Sequence, residues 1–194
     1  MVIGFDFDNT IVNYDKVFFY SAFKKNYVPK TISKNKSAVK KYLFKRGELQ
    51  KWRMLQSEVY SNDILMAKPY KGFLKVIKKL VNNKIKIKVV SHKTINPYYG
   101  KKVNLHKISR KWLNKNLTNF YRRKVKVYFE ETEKKKILRI KKLGCNYFVD
   151  DLENILSKLP KNIVKILFSP NKKTNNKKNF LVINSWNELT KNLN

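Results

Sequence analysis

An α/β protein with a parallel sheet is the fold class that this sequence predicts, on three observations. The chain begins with an apolar run, 2–12, too short for a membrane helix and readable as a buried strand. Strand-like segments then alternate with helix-like ones, which is the pattern of a parallel sheet flanked by helices. Three of the predicted strands end in reactive groups: Asp6 and Asp8, Ser91 and Lys93, Asp150 and Asp151. In open α/β sheets ligands sit beyond the carboxyl ends of the strands, so the three ends can share one crevice.

Each element has its own warrant. In the first run, residues at i and i+2 of an extended chain share a face, which would crowd Asp6 and Asp8 and invite a cation or a shared proton. Phe18, Phe19, Ala22 and Phe23 recur at helical spacing within 13–27, and Pro29 closes that segment. Val39, Tyr42 and Leu43, then Trp52, Leu55 and Val59, mark two further amphipathic helices broken near Gly47. Segment 69–82 carries Phe73, Val76, Ile77 and Leu80 as another helix face. Residues 84–91 alternate Lys with Ile and Val and turn wholly apolar before Ser91-His92-Lys93-Thr94, as a strand does on reaching a site. After a loop at 97–105, Ile108, Trp112 and Leu113 predict a helix over 105–117. A strand at 125–129, a helix at 133–143 stopped by Gly144, and a short strand at 145–149 follow. The chain closes with a strand at 163–168, a charged loop at 172–178, a strand at 180–183 and a helix at 186–193.

Composition bounds the function. The 194 residues include 42% hydrophobic and 13% aromatic side chains, enough for one domain with a core or a core plus a small insert. The 45 Lys and Arg against 13 Asp and Glu give a formal charge of +32, so anionic ligands are attracted at low salt. The lysines are spread over nearly every segment, and their abundance together with Asn, Ile, Tyr and Phe matches A/T-rich codons. Nucleic acid and codon bias therefore both account for the charge. The single cysteine, Cys145, excludes an internal disulfide and a Cys-based zinc site and reads as a small buried hydrophobe. Two histidines, His92 and His106, make a His-rich metal site equally unexpected; His106 reads as structural. No apolar run reaches membrane-spanning length and the acidic N-terminal run is unlike a signal peptide, so a cytoplasmic protein is expected. The sequons at Asn35 and Asn116 are then accidental.

Taken in order, these motifs resemble the haloacid dehalogenase superfamily, in its phosphatase branch. Phe5-Asp6-Phe7-Asp8-Asn9-Thr10 is similar to its first motif and Lys88-Val89-Val90-Ser91 to its second. The third-motif lysine falls among Lys134, Lys135 and Lys136, and Tyr147-Phe148-Val149-Asp150-Asp151 is similar to the fourth motif. Small bacterial-type hydrolases of the superfamily resemble the chain further in Asp-Asn-Thr-Ile-Val, in Ser91-His92-Lys93-Thr94 and in Leu105-His106.

The resemblance implies a three-layer Rossmann-like core over 1–14 and 67–194, with a small helical cap inserted at 15–66 between motifs one and two. It implies Asp6 as a nucleophile that forms an aspartyl-phosphate and Asp8 as general acid and base. Dehalogenases lack this second acid, so Asp8 points to phosphoryl transfer. Mg²⁺ is the implied cofactor, held by Asp6, the main-chain carbonyl of Asp8, and Asp150, with Asp151 supporting the site from behind. Ser91 is the implied phosphate anchor and Lys136, whose register fits best, the implied counter-charge, with Lys134 as its rival. Asn9, Thr10, His92 and Lys93 are substrate-binding candidates, as are Lys36, Arg53, Gln56 and Tyr60 in the insert. The expected activity is Mg²⁺-dependent hydrolysis of a small phosphorylated metabolite, a sugar phosphate among the options. A nucleotidase or nucleic-acid 3′-end phosphatase is the alternative, and a non-enzymatic binding protein on the same core comes last.

Overall fold

The computed structural model describes residues 1–170 and 179–190, and backbone alone at 119 and 120. The charged loop expected at 172–178 and the end of the helix expected at 186–193 lie outside the described residues. The chain divides into two compact units: Met1–Val12, Pro69–Lys93 and Asn116–Asn194 form the first, and Asn13–Lys68 with Thr94–Lys115 the second.

The first unit is organised on a parallel sheet of six strands: β1 (Val2–Phe5), β4 (Lys86–His92), β5 (Val125–Glu130), β6 (Tyr147–Asp150), β7 (Val164–Phe168) and β8 (Leu181–Ile183). Their spatial order is β5-β4-β1-β6-β7-β8. A separate two-residue ladder joins β2 (Val12–Asn13) to β3 (Lys68–Pro69), at two of the four points where the chain passes between units. The order reverses at β1, whose neighbours are β4 on one side and β6 on the other, both parallel to it. A reversal of this kind opens a crevice at the carboxyl ends of the central strands, and Asp6, Ser91 and Asp150 stand at those three ends.

Helices α4 (Phe73–Asn82), α6 (Asn119–Lys124), α7 (Glu133–Lys142), α8 (Glu153–Ser157) and α9 (Trp186–Leu189) belong to this unit. Helix α7 starts where Thr132 caps it, its hydroxyl accepting from Lys135 N at 3.1 Å, and stops before Gly144 at φ +62°. Phe5, Phe73 and Trp186 meet edge to face with centroids 5.0 to 6.1 Å apart, locking β1, α4 and α9 together. Two short helices, α6 and α8, lack the length at which a helical period can be read, and the sequence did not predict them.

Gly4 sits at the tightest point of the sheet. Its register partner on β6 is Phe148, and a Cβ on Gly4 would overlap the Phe148 ring and stand 3.1 Å from Cys145 Sγ. Both neighbours are buried. Gly4→Ala is therefore expected to cost about 1–3 kcal/mol of stability through overpacking, read as a lowered denaturant midpoint with unchanged slope.

The second unit holds α1 (Asp15–Lys24), α2 (Lys36–Lys45), α3 (Leu49–Tyr60), a 3-10 turn (Asn62–Met66) and α5 (Leu105–Asn116). Asn35 caps α2, its side chain accepting from Ala38 N at 2.8 Å, and Gly47 at φ +70° turns the chain into α3. Phe18 and Trp52 stack at 5.1 Å over a core that includes Val39, Leu43 and Leu55. The expected insert, 15–66, lies inside this unit, which also takes in Thr94–Lys115. Bonds that tie the later segment to the earlier one include Trp112 Nε1 donating to Ala67 O at 2.9 Å, Lys115 Nζ to Leu65 O at 3.0 Å, and Tyr99 N to Ser57 Oγ at 3.2 Å. Helical periodicity shows that α5 forms but carries no information on which body it joins. Among the described residues no helix is long and apolar enough to cross a membrane.

Candidate active site

Strand β1 delivers Asp6 by its last hydrogen bond, Asp6 N donating to Val149 O on β6 at 2.8 Å. The chain then leaves the sheet in a tight loop: Ile11 N and Val12 N both donate to Phe7 O at 3.0 Å, and Asn9 takes φ +58°. Asn tolerates this left-handed conformation better than most residues. Because the strand ends at Phe5, the pleat argument that crowds Asp6 against Asp8 does not apply. The two carboxylates instead have different partners.

Asp6 is 4% exposed and accepts twice on one oxygen, Oδ1: from Ser91 Oγ at 2.8 Å and from Lys136 Nζ at 2.6 Å. Lys136 also donates to Asp150 Oδ2 at 2.6 Å, so one ammonium bridges the ends of β1 and β6. It is 1% exposed, whereas Lys134 and Lys135 are exposed. Asp150 is completed by Leu152 N, which donates to its Oδ1 at 3.0 Å. Asp8 pairs with Lys93, Nζ to Oδ2 2.8 Å, and Lys93 is itself buried with its ammonium over the Phe7 ring.

The period-2 argument does hold on β4. Ser91 and Lys93 are buried while His92 between them is exposed and contacts Glu131 O at 3.1 Å. Thr10 is fully buried and donates to Asp151 Oδ1 at 3.4 Å, linking the first loop to the acid that follows β6. Asn9 is half-buried in the same loop. In the second unit, Lys36 Nζ donates to Tyr60 OH at 2.8 Å and Arg53 Nη1 to Tyr99 OH at 3.4 Å, while Gln56 is half-buried. The Lys93–Asp8 pair and the Ser91–Asp6 bond are contacts that the sequence did not predict. Their one visible signal is the Ser-x-Lys alternation at the end of β4.

Charge sets the chemistry of this cluster. Burial opposes the charged form of Lys136, but Asp6 and Asp150 more than offset it and hold the ammonium firmly protonated. For Asp150 burial wins: it pushes the carboxyl up to about 7, against the pull of Lys136, and the like charge of Asp6 adds to the rise. One ammonium shared by two buried carboxylates leaves the cluster short of positive charge. The carboxylates of Asp6, Asp150 and Asp151 offer oxygens within 4.8 Å of one another. An all-oxygen, net-negative donor set suits a hard divalent cation such as Mg²⁺.

A stability prediction follows from the raised Asp150. The folded protein binds this proton more tightly than the unfolded chain, whose Asp titrates near 3.9. Its favourable contribution is fully present below that value and lost as pH rises through about 7. Without metal, Asp150→Asn is therefore expected to melt above the wild type at pH 8, with the gap closing toward pH 4. Thermal melts across that range check it.

The fold of the chain is similar to that of solved structures described as HAD-superfamily hydrolases, from Ehrlichia chaffeensis and Geobacter sulfurreducens, at 12% and 9% identity with TM-scores of 0.56 and 0.58. Among solved structures, the chain is similar to a predicted phosphatase from Clostridium acetobutylicum at 15% identity, covering 99% of this chain and 97% of that one with a TM-score of 0.59. It is similar to a predicted phosphoglycolate phosphatase from Haemophilus somnus at 14%, covering 100% and 97%, with a TM-score of 0.56. A phosphoserine phosphatase in apo form matches at 21%, covering 100% and 98%, with a TM-score of 0.55. At these identities the likeness establishes the fold. No family model and no curated protein matches the sequence.

Proposed function

We propose that the protein is a Mg²⁺-dependent phosphatase that hydrolyses a small phosphorylated metabolite through an aspartyl-phosphate on Asp6. The observation that carries this reading is the double anchoring of Asp6 Oδ1 by Ser91 and Lys136. With one oxygen held and its rotamer fixed, Oδ2 is the atom that attacks.

In the first step Asp6 Oδ2 forms a bond to phosphorus as the bond to the leaving oxygen breaks, and Asp8 gives that oxygen a proton. In the second, Asp8 takes a proton from water, the resulting hydroxide attacks phosphorus, and Asp6 is released with inorganic phosphate. Ser91 and Lys136 offset the charge that gathers on the phosphoryl oxygens. Lys93 holds the Asp8 carboxyl in place. Mg²⁺ would be held by Asp6, Asp150 and the Asp8 carbonyl, and supplies the charge that lets an anionic carboxylate meet an anionic substrate. Asp151, bonded by Thr10, supports the first loop beside the metal ligands.

The insert at 15–66 is read as a cap that limits the substrate to a small molecule, and the cytoplasm as the setting. Release of phosphate from a generic aryl phosphate is the test. Treatment with EDTA is expected to abolish turnover and Mg²⁺ to restore it. As the proton competes with the metal for Asp150, the apparent Mg²⁺ affinity should weaken as pH falls below about 7. Turnover unaffected by EDTA would overturn the metal assignment.

A further inference from the structure

The distribution of aromatic side chains separates the two units in a way that their charge does not. Both are strongly basic: 26 Lys and Arg against 9 Asp and Glu in the first, 19 against 4 in the second. Both are also rich in Tyr and Phe, with 12 in the first and 11 in the second. Codon bias accounts for this much, since it enriches Lys, Tyr and Phe everywhere. It does not account for where the rings go. Among the described residues, the exposed aromatic side chains are Tyr20 (52%), Phe23 (40%), Phe44 (47%) and Tyr98 (83%), and all four belong to the second unit. The rings of the first unit whose side chains are described are buried or half-buried.

Three of the four exposed rings lie on α1 and α2, two helices packed against each other. On α1, Tyr20 and Lys24 are one turn apart and both exposed, with Phe23 beside them stacked on Phe19 at 6.0 Å and 7°. On α2, Lys40, Lys41, Phe44 and Lys45 are exposed, and Lys40 Nζ lies 5.1 Å above the Phe44 ring. Helix α2 contains no acidic residue, and the acid at the start of α1, Asp15, accepts from Lys36 N at 3.0 Å. Exposed rings set among unneutralised ammonium groups are the chemistry that stacks bases and tracks phosphates.

We infer that the exposed faces of α1 and α2 form a docking surface for single-stranded nucleic acid, with Tyr20, Phe23 and Phe44 as stacking platforms and Lys24, Lys40 and Lys41 as phosphate contacts. Duplex DNA hides its base faces and would use only the lysines. An anionic membrane would take the same lysines but show no preference for bases. The surface shares no residue with the Asp6 cluster, so the inference stands or falls apart from the phosphatase reading.

The test uses the full chain and a labelled oligo(dT) of about twelve nucleotides, within the span that stacking platforms cover. At about 150 mM salt, Tyr20→Ala/Phe23→Ala/Phe44→Ala is expected to weaken binding at least about tenfold with little change in salt slope. Lys40→Gln/Lys41→Gln is expected to reduce the slope by about one to two. Both variants should keep the wild-type melting temperature and aryl phosphate turnover. Because a triple variant can disturb packing, ultraviolet crosslinking of the wild type to oligo(dT) gives a second reading, with adducts expected on α1 or α2. Unchanged affinity in a folded aromatic variant, crosslinks confined to the first unit, or tighter binding to duplex DNA or to phosphatidylserine vesicles would each overturn the inference.

Discussion

Asp6→Asn is expected to eliminate phosphatase turnover, by about four orders of magnitude or more, while leaving the fold in place. The amide is isosteric with the carboxyl, and its oxygen still accepts from Ser91 Oγ and Lys136 Nζ, so the anchoring of the side chain survives. What is lost is the nucleophile, because an amide presents no anionic oxygen to phosphorus. A companion observation on the wild type is a phosphorylated peptide spanning Asp6 when the protein is quenched during turnover. A well-folded Asp6→Asn protein with full activity would end the nucleophile assignment.

Lys136→Met is expected to damage both stability and activity, and in a diagnostic pattern. The wild-type ammonium touches Asp6 and Asp150 at 2.6 Å each, with all three side chains buried. Removing it leaves two carboxylates facing each other without a counter-charge, which costs about 3–5 kcal/mol when a buried pair is broken. The loss should be greatest at pH 8 without metal. It should shrink at pH 5, where Asp150 takes a proton, and shrink again on adding Mg²⁺, which replaces the missing charge. Turnover should nonetheless remain about a hundredfold or more below wild type with saturating Mg²⁺, because the ammonium also offsets charge on the phosphoryl group. Denaturant midpoints at the two pH values with and without Mg²⁺, beside kcat, separate these effects. Equal destabilisation under all four conditions would show that Lys136 acts by packing alone.

The site is legible in the sequence to the extent that its residues stand at strand ends. Apolar runs closed by Asp6, Ser91 and Asp150 announce three strands with reactive termini, and alternation with helices makes the sheet parallel. Parallel strands all point one way, so their carboxyl ends must fall on one edge. The choice among Lys134, Lys135 and Lys136 is harder from sequence, because all three begin the same helix. Only the packed protein shows that Lys136 turns inward. The partner of Asp8 was equally hidden, since an ion pair between residues 8 and 93 depends on how β1 and β4 sit side by side.

The same division runs through the whole chain. Local physics alone determined the types of the longer elements, the helix stop at Gly144 and the break at Gly47, because each depends on neighbours within a few residues. Tertiary structure alone decided three matters. It gave Asp6 and Asp8 separate ammonium partners, it placed Thr94–Lys115 in the second unit, and, among the described side chains, it left aromatic rings exposed on that unit and not on the first. Each turns on contacts or exposure set by chain segments far apart in sequence, where the pattern of neighbouring residues carries no signal.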